Sequence, residues 1–395
     1  MDRIIMHIDV NNAFLSWTAI ELLKHGYKDI RNSFAVIGGD EEARHGIVLA
    51  KSTPAKKMGI KTAMSLYEAR KIIPNIEVYP ANYSYYEEMS QKFINLLLKY
   101  TPDIEQFSID ECFIDYTPVS KLYGDPLKFA YKIKDEIKNT LGFTVNIGIA
   151  NNKLCAKMAS DFEKPDKVHT LFSNEVKDKM WPLDVGELLW IGKKTKERLN
   201  MLGIRTIGDL ANTDPTNIYR YFKNQTNSMI EHANGIDNDL VITKREDAKG
   251  ISKMITIDHD VKSREELYQI LNYISNDLGH SIRKQNKYTS CIAVILKDNY
   301  FKMRTHQMKL INRTNKTKDI YEYSKKLLDE TWRGEAIRLV GIRLDNLSDT
   351  PIYQYSLFED TKEDLNDALI DNVMDELKTK YGSKIINKAS LLKKK

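Results

Sequence analysis

Short apolar runs of strand length alternate with longer helix-like stretches over the first 170 residues. The strand-like runs cover residues 4–10, 104–109 and 112–116, and the helix-like stretches cover residues 12–25, 85–100 and 127–139. Apolar runs of this length predict strands, and the longer patterned stretches predict helices. The pattern predicts an α+β fold for this part of the chain.

The rest of the chain changes character twice. Residues 172–240 predict short helices separated by turns, and the polar stretch 237–249 predicts a linker. Beyond it, strand-like runs at 289–296 and 300–304 alternate with helix-like stretches at 264–284 and 316–332. A last helix is predicted over 361–380, where Leu365, Ala368, Leu369, Val373 and Leu377 recur at helical spacing.

Composition is that of a globular protein. The 395 residues are 42% hydrophobic, enough for about two to four domains. No stretch reaches the length of a membrane span, and Asp2, Arg3 and Asp9 interrupt what a secretory segment would need, so we expect a cytoplasmic protein. Cys112, Cys155 and Cys291 are too far apart for zinc spacing or a disulfide framework and are expected to be buried.

The net charge of +5 is unevenly distributed. Residues 249–319 contain 14 Lys or Arg against seven Asp or Glu. Such a surplus suits binding to nucleic-acid phosphates without reading sequence, although a charge run is more often a solvated face.

Three carboxylates carry the candidate chemistry. Asp9 lies near the end of the first predicted strand, and Asp110 and Glu111 lie between two later ones, near a hairpin tip. Hard cations such as Mg²⁺ bind carboxylate oxygens and leave positions open for phosphates, as two-metal phosphoryl transfer requires. The alternative is ordinary chemistry, a solvated turn pair and a helix cap.

Three motifs resemble those of the Y-family of translesion DNA polymerases. They are Ile8-Asp9-Val10-Asn11-Asn12-Ala13-Phe14, Ser108-Ile109-Asp110-Glu111 and Gly148-Ile149-Ala150-Asn151-Asn152-Lys153-Leu154-Cys155-Ala156-Lys157. They stand in family order and spacing, and the resemblance extends over about residues 1–350. It implies a template-directed DNA polymerase of low fidelity and low processivity, acting as a monomer on primer-template DNA and dNTPs.

The resemblance also implies an α+β multidomain fold, the right-hand polymerase with palm, fingers, helical thumb and an α/β little finger. The expected modules are a palm (1–11 and 83–171), fingers (12–82), a helix-hairpin-helix-like thumb (172–240), a linker (241–250), a little finger (251–347) and a tail (348–395).

In the family, the acidic cluster holds two Mg²⁺ ions, for which Mn²⁺ can substitute. The resemblance implies that Asp9 and Asp110 bridge both ions, that Glu111 holds the ion that activates the primer hydroxyl, and that the Val10 carbonyl completes the nucleotide-side ion.

The remaining site assignments also follow from the resemblance. Phe14, next to Ala13, stands at the steric gate that excludes a ribose 2′-hydroxyl; on sequence alone an aromatic residue five positions after a strand end is more often core, but the intact motif favours the gate. Thr53 and Lys56 replace a common Tyr-x-x-Arg pair, and Lys164 matches a palm lysine that reaches the triphosphate, the alternative being an exposed helix-end lysine. Ile47 and Leu49 would roof the nascent base pair, or could equally be core.

Further residues are expected to contact DNA and a partner. Gly192 and Gly203 mark the thumb hairpin, in which Trp190 departs from the usual Gly, and Lys253 and Arg304 are candidate phosphate contacts. In the tail, Gln354, Ser356, Leu357 and Phe358 belong to a pentapeptide that resembles the bacterial sliding-clamp-binding motif. The alternative for that segment is a hydrophobic staple into the following helix.

Two other classes of function stay open. One is a different palm-type enzyme such as a nucleotide cyclase, against which the basic segment and the hairpin glycines argue. The other is a non-catalytic or partner-activated accessory protein that binds DNA and the clamp. Within the family, the sequence leaves open an autonomous enzyme or one that needs activating partners.

Overall fold

The computed structural model describes residues 3–39, 46–244, 247–351 and 361–382. Chain contacts divide them into two units. The first unit contains the described residues 3–39 and 47–244, and the second contains 46, 247–351 and 361–382. The division falls within the predicted linker 241–250, while the boundaries between palm, fingers and thumb stay predictions.

A five-stranded sheet forms the centre of the first unit. Its strands, in spatial order, are β5 (Ile104–Gln106), β6 (Glu111–Asp115), β1 (Ile5–Val10), β7 (Val145–Ala150) and β8 (Val168–Leu171). The pairs are antiparallel except β7 with β8. The run predicted to extend to residue 109 ends at Gln106, because the backbone N–H groups of Phe107 and Ser108 turn back to the Glu111 carbonyl.

Helices pack against the sheet, and three of them begin at a side-chain cap. They are α4 (Tyr83–Leu97), α5 (Ser120–Tyr123), α6 (Pro126–Leu141) and α7 (Lys153–Asp161). The side chains of Asn82, Asp125 and Asn152 each accept a backbone N–H in the first turn of α4, α6 and α7, which stabilises these helix starts. The apolar faces of α4 and α6 form one core with the sheet, around Phe93 and Phe129.

A smaller sheet lies between β1 and α4 in sequence. The elements are α1 (Ala13–Lys24), β2 (Ala35–Gly38), β3 (Val48–Lys51), α2 (Thr53–Lys57), α3 (Leu66–Ile72) and β4 (Glu77–Pro80), and the strand order is β3-β2-β4. Asn12 adopts a left-handed conformation (φ 50°) before α1, and its Nδ2 donates to the Lys51 carbonyl at 2.7 Å. This bond joins the start of α1 to the end of β3.

Residues 172–240 are helical, as the sequence predicts. The longer elements are α8 (Lys193–Met201), α9 (Ile207–Ala211), α10 (Pro215–Phe222) and α11 (Thr226–Ala233). Their apolar residues share a core with α7 of the central sheet region.

The second unit is a four-stranded antiparallel sheet in the order β11-β10-β12-β9. Its elements are β9 (Gly250–Val261), α12 (Arg264–Lys284), β10 (Thr289–Asp298), β11 (Met303–Thr314), α13 (Thr317–Thr331) and β12 (Ile337–Asp345). The predicted helix 264–284 is confirmed. The strand predicted from residue 300 begins at Met303, because Phe301 (φ 63°) forms a turn whose N–H bonds the Asp298 carbonyl at 3.0 Å.

The predicted C-terminal helix is confirmed as α14 (Thr361–Tyr381). It contacts the rest of the second unit through two acidic side chains. Asp371 accepts hydrogen bonds from Arg283 at 3.0 Å and from the Thr317 N–H at 2.8 Å, and Asp375 forms an ion pair with Arg283. Leu369 and Val373, which belong to the apolar periodicity that predicted the helix, are more than half exposed. Among the side chains described on this helix, Asp371 and Asp375 therefore hold it to its unit, and Leu369 and Val373 do not. In the part of the chain described, no helix is long and apolar enough to cross a membrane.

Replacing Gly148 with Ala is expected to destabilise the first unit by about 3 kcal/mol. A Cβ on this β7 residue would lie 1.9 Å from the Ala156 carbonyl oxygen and 2.5 Å from the Ser160 nitrogen, both backbone atoms of α7. Urea unfolding measures the loss. The fully buried neighbour Ile149 supplies the control, since Ile149→Val should cost about 1 kcal/mol. Equal losses for the two variants would contradict the close helix–strand approach.

Candidate active site

The three candidate carboxylates lie at one end of the central sheet. Asp9 and Glu111 are direct partners in the antiparallel pairing of β1 with β6, and the Val10 N–H donates to the Asp110 carbonyl at 2.9 Å. Side chains of directly opposed residues share a face of the sheet. The sheet register thus brings together acids that are about a hundred positions apart in sequence.

Two lysines neutralise these acids. Lys164 Nζ lies 2.5 Å from Asp9 Oδ2 and 2.8 Å from Asp161 Oδ1, and Lys157 pairs with Glu111. Asp110 accepts a bond from the Ser108 hydroxyl at 2.6 Å. Over the described ranges, no three His, Cys, Asp or Glu side chains already form a metal-ligand cluster. The carboxylates suit a hard divalent cation by chemistry, and two of them already attract an ammonium group.

Electrostatics separates the two paired acids. Burial raises the pKa of Asp9, against the opposing attraction of Lys164. Burial would also raise the pKa of Glu111, but hydrogen bonds from His7 and Lys157 outweigh it and lower that pKa to about 2. The contacts of Glu111 therefore favour its charged carboxylate form, whereas burial disfavours the charged form of Asp9.

Phe14 is held in place by other aromatic rings. Its ring stacks on Tyr86 with centroids 4.6 Å apart and planes 9° apart, and its edge contact with Tyr83 spans 6.0 Å. The Thr18 hydroxyl donates to the Phe14 carbonyl at 2.8 Å and lies 2.7 Å from the Tyr86 hydroxyl. Phe14 is partly buried and Ala13 is buried, so Phe14 lies at the margin of the core.

The smaller sheet carries the other predicted nucleotide contacts. Thr53 begins α2 and is exposed, as is Lys56 one turn later. Lys51, at the end of β3, donates to the Thr62 hydroxyl at 2.8 Å, and burial together with the charge of Lys56 lowers its pKa. Of the predicted roof residues, Leu49 packs against the core and Ile47 is 44% exposed.

Comparison with known proteins decides the family. Sequence models of the impB/mucB/samB family match residues 8–161, those of its C-terminal domain match 248–357, and its HHH motif matches 173–204. DNA polymerase IV of Clostridium acetobutylicum is 47% identical over 100% of this chain and 99% of its own length. That of Alkaliphilus oremlandii is 36% identical over 99% of this chain and 100% of its own. The chain belongs to the impB/mucB/samB family of Y-family DNA polymerases.

A solved structure agrees with this membership at the level of fold. A chimeric Y-family DNA polymerase superposes with a TM-score of 0.77 at 23% identity, over 88% of this chain and 100% of that one. The expected class, an α+β multidomain right-hand fold, is confirmed.

In this Y-family polymerase, the HHH match covers both predicted hairpin glycines. Gly192 precedes α8, and its carbonyl accepts the Lys196 N–H at 3.0 Å, while Gly203 has φ 84°, the left-handed region that Gly tolerates best. Trp190 has φ 74° and is 70% exposed. This backbone conformation gives a physical reason why Gly often stands at that position.

The predicted DNA contacts of the second unit have acidic neighbours. Lys253 pairs with Asp277 and lies 4.8 Å from the centre of the Tyr273 ring, and Arg304 donates to Glu335 at 2.7 Å. Their role in binding phosphates stays a prediction. The clamp-like residues Gln354, Ser356, Leu357 and Phe358 lie outside the described residues.

Sequence reasoning missed one residue that touches the site. His7 is buried on β1, its Nε2–H donates to Glu111 Oε2 at 3.0 Å, and its Nδ1 lies 2.7 Å from the Ser160 hydroxyl. Burial lowers the pKa of His7. The available signal was its position two residues before Asp9, which places both side chains on one face of a strand. Lys157 was part of a quoted motif, but its pairing with Glu111 had no sequence signal.

Proposed function

We propose that this chain is a DNA-directed DNA polymerase for translesion synthesis, adding dNTPs to a primer 3′-hydroxyl by nucleotidyl transfer. The observation that carries the proposal is the cross-strand pair of Asp9 and Glu111 beside Asp110. Full-length similarity to DNA polymerase IV of other bacteria supports the same activity.

Divalent metal use follows from the family. We propose that Asp9, Asp110, Glu111 and the Val10 carbonyl hold two Mg²⁺ ions, with Mn²⁺ as a substitute. Bound there, the ions would lower the pKa of the primer hydroxyl and neutralise developing phosphate charge. His7 holds the Glu111 carboxylate through its Nε2–H. Lys157 and Lys164 balance the acids, and Lys164 would exchange its pairing with Asp9 for triphosphate oxygens when a nucleotide binds.

The nucleotide contacts are proposed as follows. Phe14, beside Ala13, lies under the sugar and leaves no room for a 2′-hydroxyl. Lys164, Thr53 and Lys56 donate to the triphosphate, and because Lys56 lacks the bidentate fork of Arg, nucleotide affinity should be altered. Ile47 and Leu49 roof the nascent base pair.

For the DNA and its partner, Gly192 and Gly203 would place hairpin N–H groups on phosphates, and Lys253 and Arg304 would add charge contacts. We propose that the enzyme acts as a cytoplasmic monomer. The pentapeptide with Gln354, Ser356, Leu357 and Phe358 would bind a bacterial sliding clamp, which would supply processivity.

Primer extension tests the proposed function. The wild type, with Mg²⁺ and each dNTP on undamaged and abasic templates, should extend primers distributively. Asp110→Ala combined with Glu111→Ala should abolish extension. Glu87→Ala with Glu88→Ala, two exposed neighbours on α4, is the matched control and should extend normally. An inactive wild type, with the clamp present, would instead favour a partner-activated or accessory protein.

A further inference from the structure

A pair of buried asparagines lies behind the candidate active site. Asn146, on β7, is fully buried, and its Nδ2 donates to the carbonyls of Ser160 at 3.0 Å and Glu163 at 2.7 Å. Its Oδ1 accepts from Asn11 Nδ2 at 3.1 Å and from the Lys167 N–H at 3.3 Å. Both N–H donors and both oxygen lone pairs of this amide are thus committed to holding other groups.

Asn11 completes the connection to β1. It follows Asp9 by two residues and is buried, and its Oδ1 accepts the Asp166 N–H at 2.9 Å. Its own backbone is held at both ends, because its N–H donates to the Thr144 carbonyl at 2.9 Å and its carbonyl accepts the Ser16 hydroxyl at 2.8 Å. Asn11 is therefore a fixed support.

The two asparagines hold the loop that carries Lys164. The loop of residues 162–167 joins α7 to β8, and the asparagine bonds reach it at the Glu163 carbonyl, the Asp166 N–H and the Lys167 N–H. These three points flank Lys164 on both sides. Lys164 itself extends to Asp9 of β1 at 2.5 Å, so Asn11, just after the end of β1, anchors the loop close to the acid that receives its lysine.

The residue type matters because a side-chain amide both donates and accepts. A carboxylate at position 146 could not donate to two carbonyls, and a hydroxyl has only one proton. Removing such a partner leaves buried backbone groups without hydrogen bonds, so the loop would move to regain them.

We infer that Asn11 and Asn146 are positioning residues for nucleotide binding, which hold the loop 162–167 so that Lys164 reaches the triphosphate. The inference rests on the proposed function in taking a dNTP as the ligand. Neither asparagine touches the nucleotide in this arrangement, and both act through Lys164.

The test measures equilibrium binding of a non-hydrolysable α,β-imido dNTP to the enzyme on primer-template DNA with Mg²⁺. Asn11→Ala and Lys164→Ala should each weaken binding about tenfold, the range of losses seen when a supporting group is removed. The double variant should bind as Lys164→Ala alone, because a residue that acts through Lys164 has no effect without it. In steady-state extension, Asn11→Ala should raise KM with kcat changed less than about threefold.

Two further variants separate positioning from stability. Asn234→Ala is the matched control: the Asn234 amide also donates to two carbonyls, those of Ala211 and Ile230, at 3.1 and 2.9 Å, away from the Lys164 loop. It should lower the melting temperature without changing the dissociation constant. If Asn11→Ala does not fold, Asn11→Gln keeps an amide donor and an amide acceptor but moves them by one methylene, so the bonds to Asn146 and to the Asp166 N–H are strained and a loss of about threefold is expected.

The possible results decide between the ideas. Binding by the folded Asn11 variant within about twofold of the wild type would overturn the inference, as would losses that multiply in the double variant. Unchanged binding by Lys164→Ala would overturn it too, because the asparagines would then position a lysine that does not contribute to nucleotide binding. Because binding is measured without chemistry, a wild type that binds the analogue but fails to extend primers would overturn the proposed function alone.

Discussion

Asp9→Asn is expected to lower the rate of single-nucleotide incorporation by about three orders of magnitude while leaving the protein at least as stable as the wild type. A metal-bound carboxylate stabilises transition-state charge by several kcal/mol, and about 4 kcal/mol corresponds to a thousandfold. Stability should not fall, because burial raises the pKa of Asp9 and a neutral amide avoids the cost of the buried charge. Rapid-quench incorporation and thermal melting measure the two effects.

Asp29→Asn is the matched control, with the opposite expected signature. Asp29 caps a short helical turn and pairs with Arg31 at 2.8 Å, and the hydrogen bond from Arg31 lowers its pKa. Its replacement should cost about 1 kcal/mol of stability and leave incorporation unchanged. A folded Asp9→Asn enzyme with more than about a tenth of the wild-type rate would show that Asp9 is no metal ligand.

Phe14→Ala is expected to reduce discrimination against ribonucleotides by about a hundredfold. Removing the ring opens room for a 2′-hydroxyl, and a hundredfold change in relative kcat/KM corresponds to about 2.7 kcal/mol. Because Phe14 stacks on Tyr86 and is partly buried, the same change should also cost about 2 kcal/mol of stability. The comparison is kcat/KM for dCTP and CTP opposite dG, together with urea unfolding.

Two control variants distinguish the loss of a steric gate from a general loosening of the packing around Phe14. Phe14→Tyr keeps a ring in place and should keep the discrimination. Tyr83→Ala removes an exposed aromatic that contacts Phe14 edge-on at 6.0 Å, and discrimination should stay within about threefold of the wild type. A folded Phe14→Ala enzyme that still rejects CTP as strongly as the wild type would show that Phe14 is a core residue and not a steric gate.

Local elements could be predicted from the sequence because their signals are local. The apolar run before Asp9 forms β1, and the predicted helix 264–284 is α12. Errors occurred where a turn overrode an apolar run, as at residues 107–109 and 300–302, because a carbonyl or side chain a few residues away captured the backbone N–H groups. The motifs also identified the family, which the comparisons confirmed.

The partners of the site residues depended on tertiary structure. The pairing of Asp9 with Glu111 is a matter of strand register, and a slip of one residue would turn one of the two carboxylates to the other face. The contacts of His7 with Glu111 and of Asn146 with the Lys164 loop join segments far apart in sequence. Local periodicity does not encode such pairs, because a polar residue interrupts an apolar run in the same way whichever distant residue it contacts.

The sequence by itself therefore determined elements with strong local patterns, such as β1 and α12, the family, and the acids that are candidates for metal binding. Tertiary structure decided which lysine neutralises which acid, that α14 contacts its unit through Asp371 and Asp375, and that Phe14 stacks on Tyr86. The physical reason is range. Backbone preference and apolar periodicity act over a few residues, whereas ion pairs, ring stacking and buried hydrogen bonds are chosen only when the folded chain brings distant groups within contact distance.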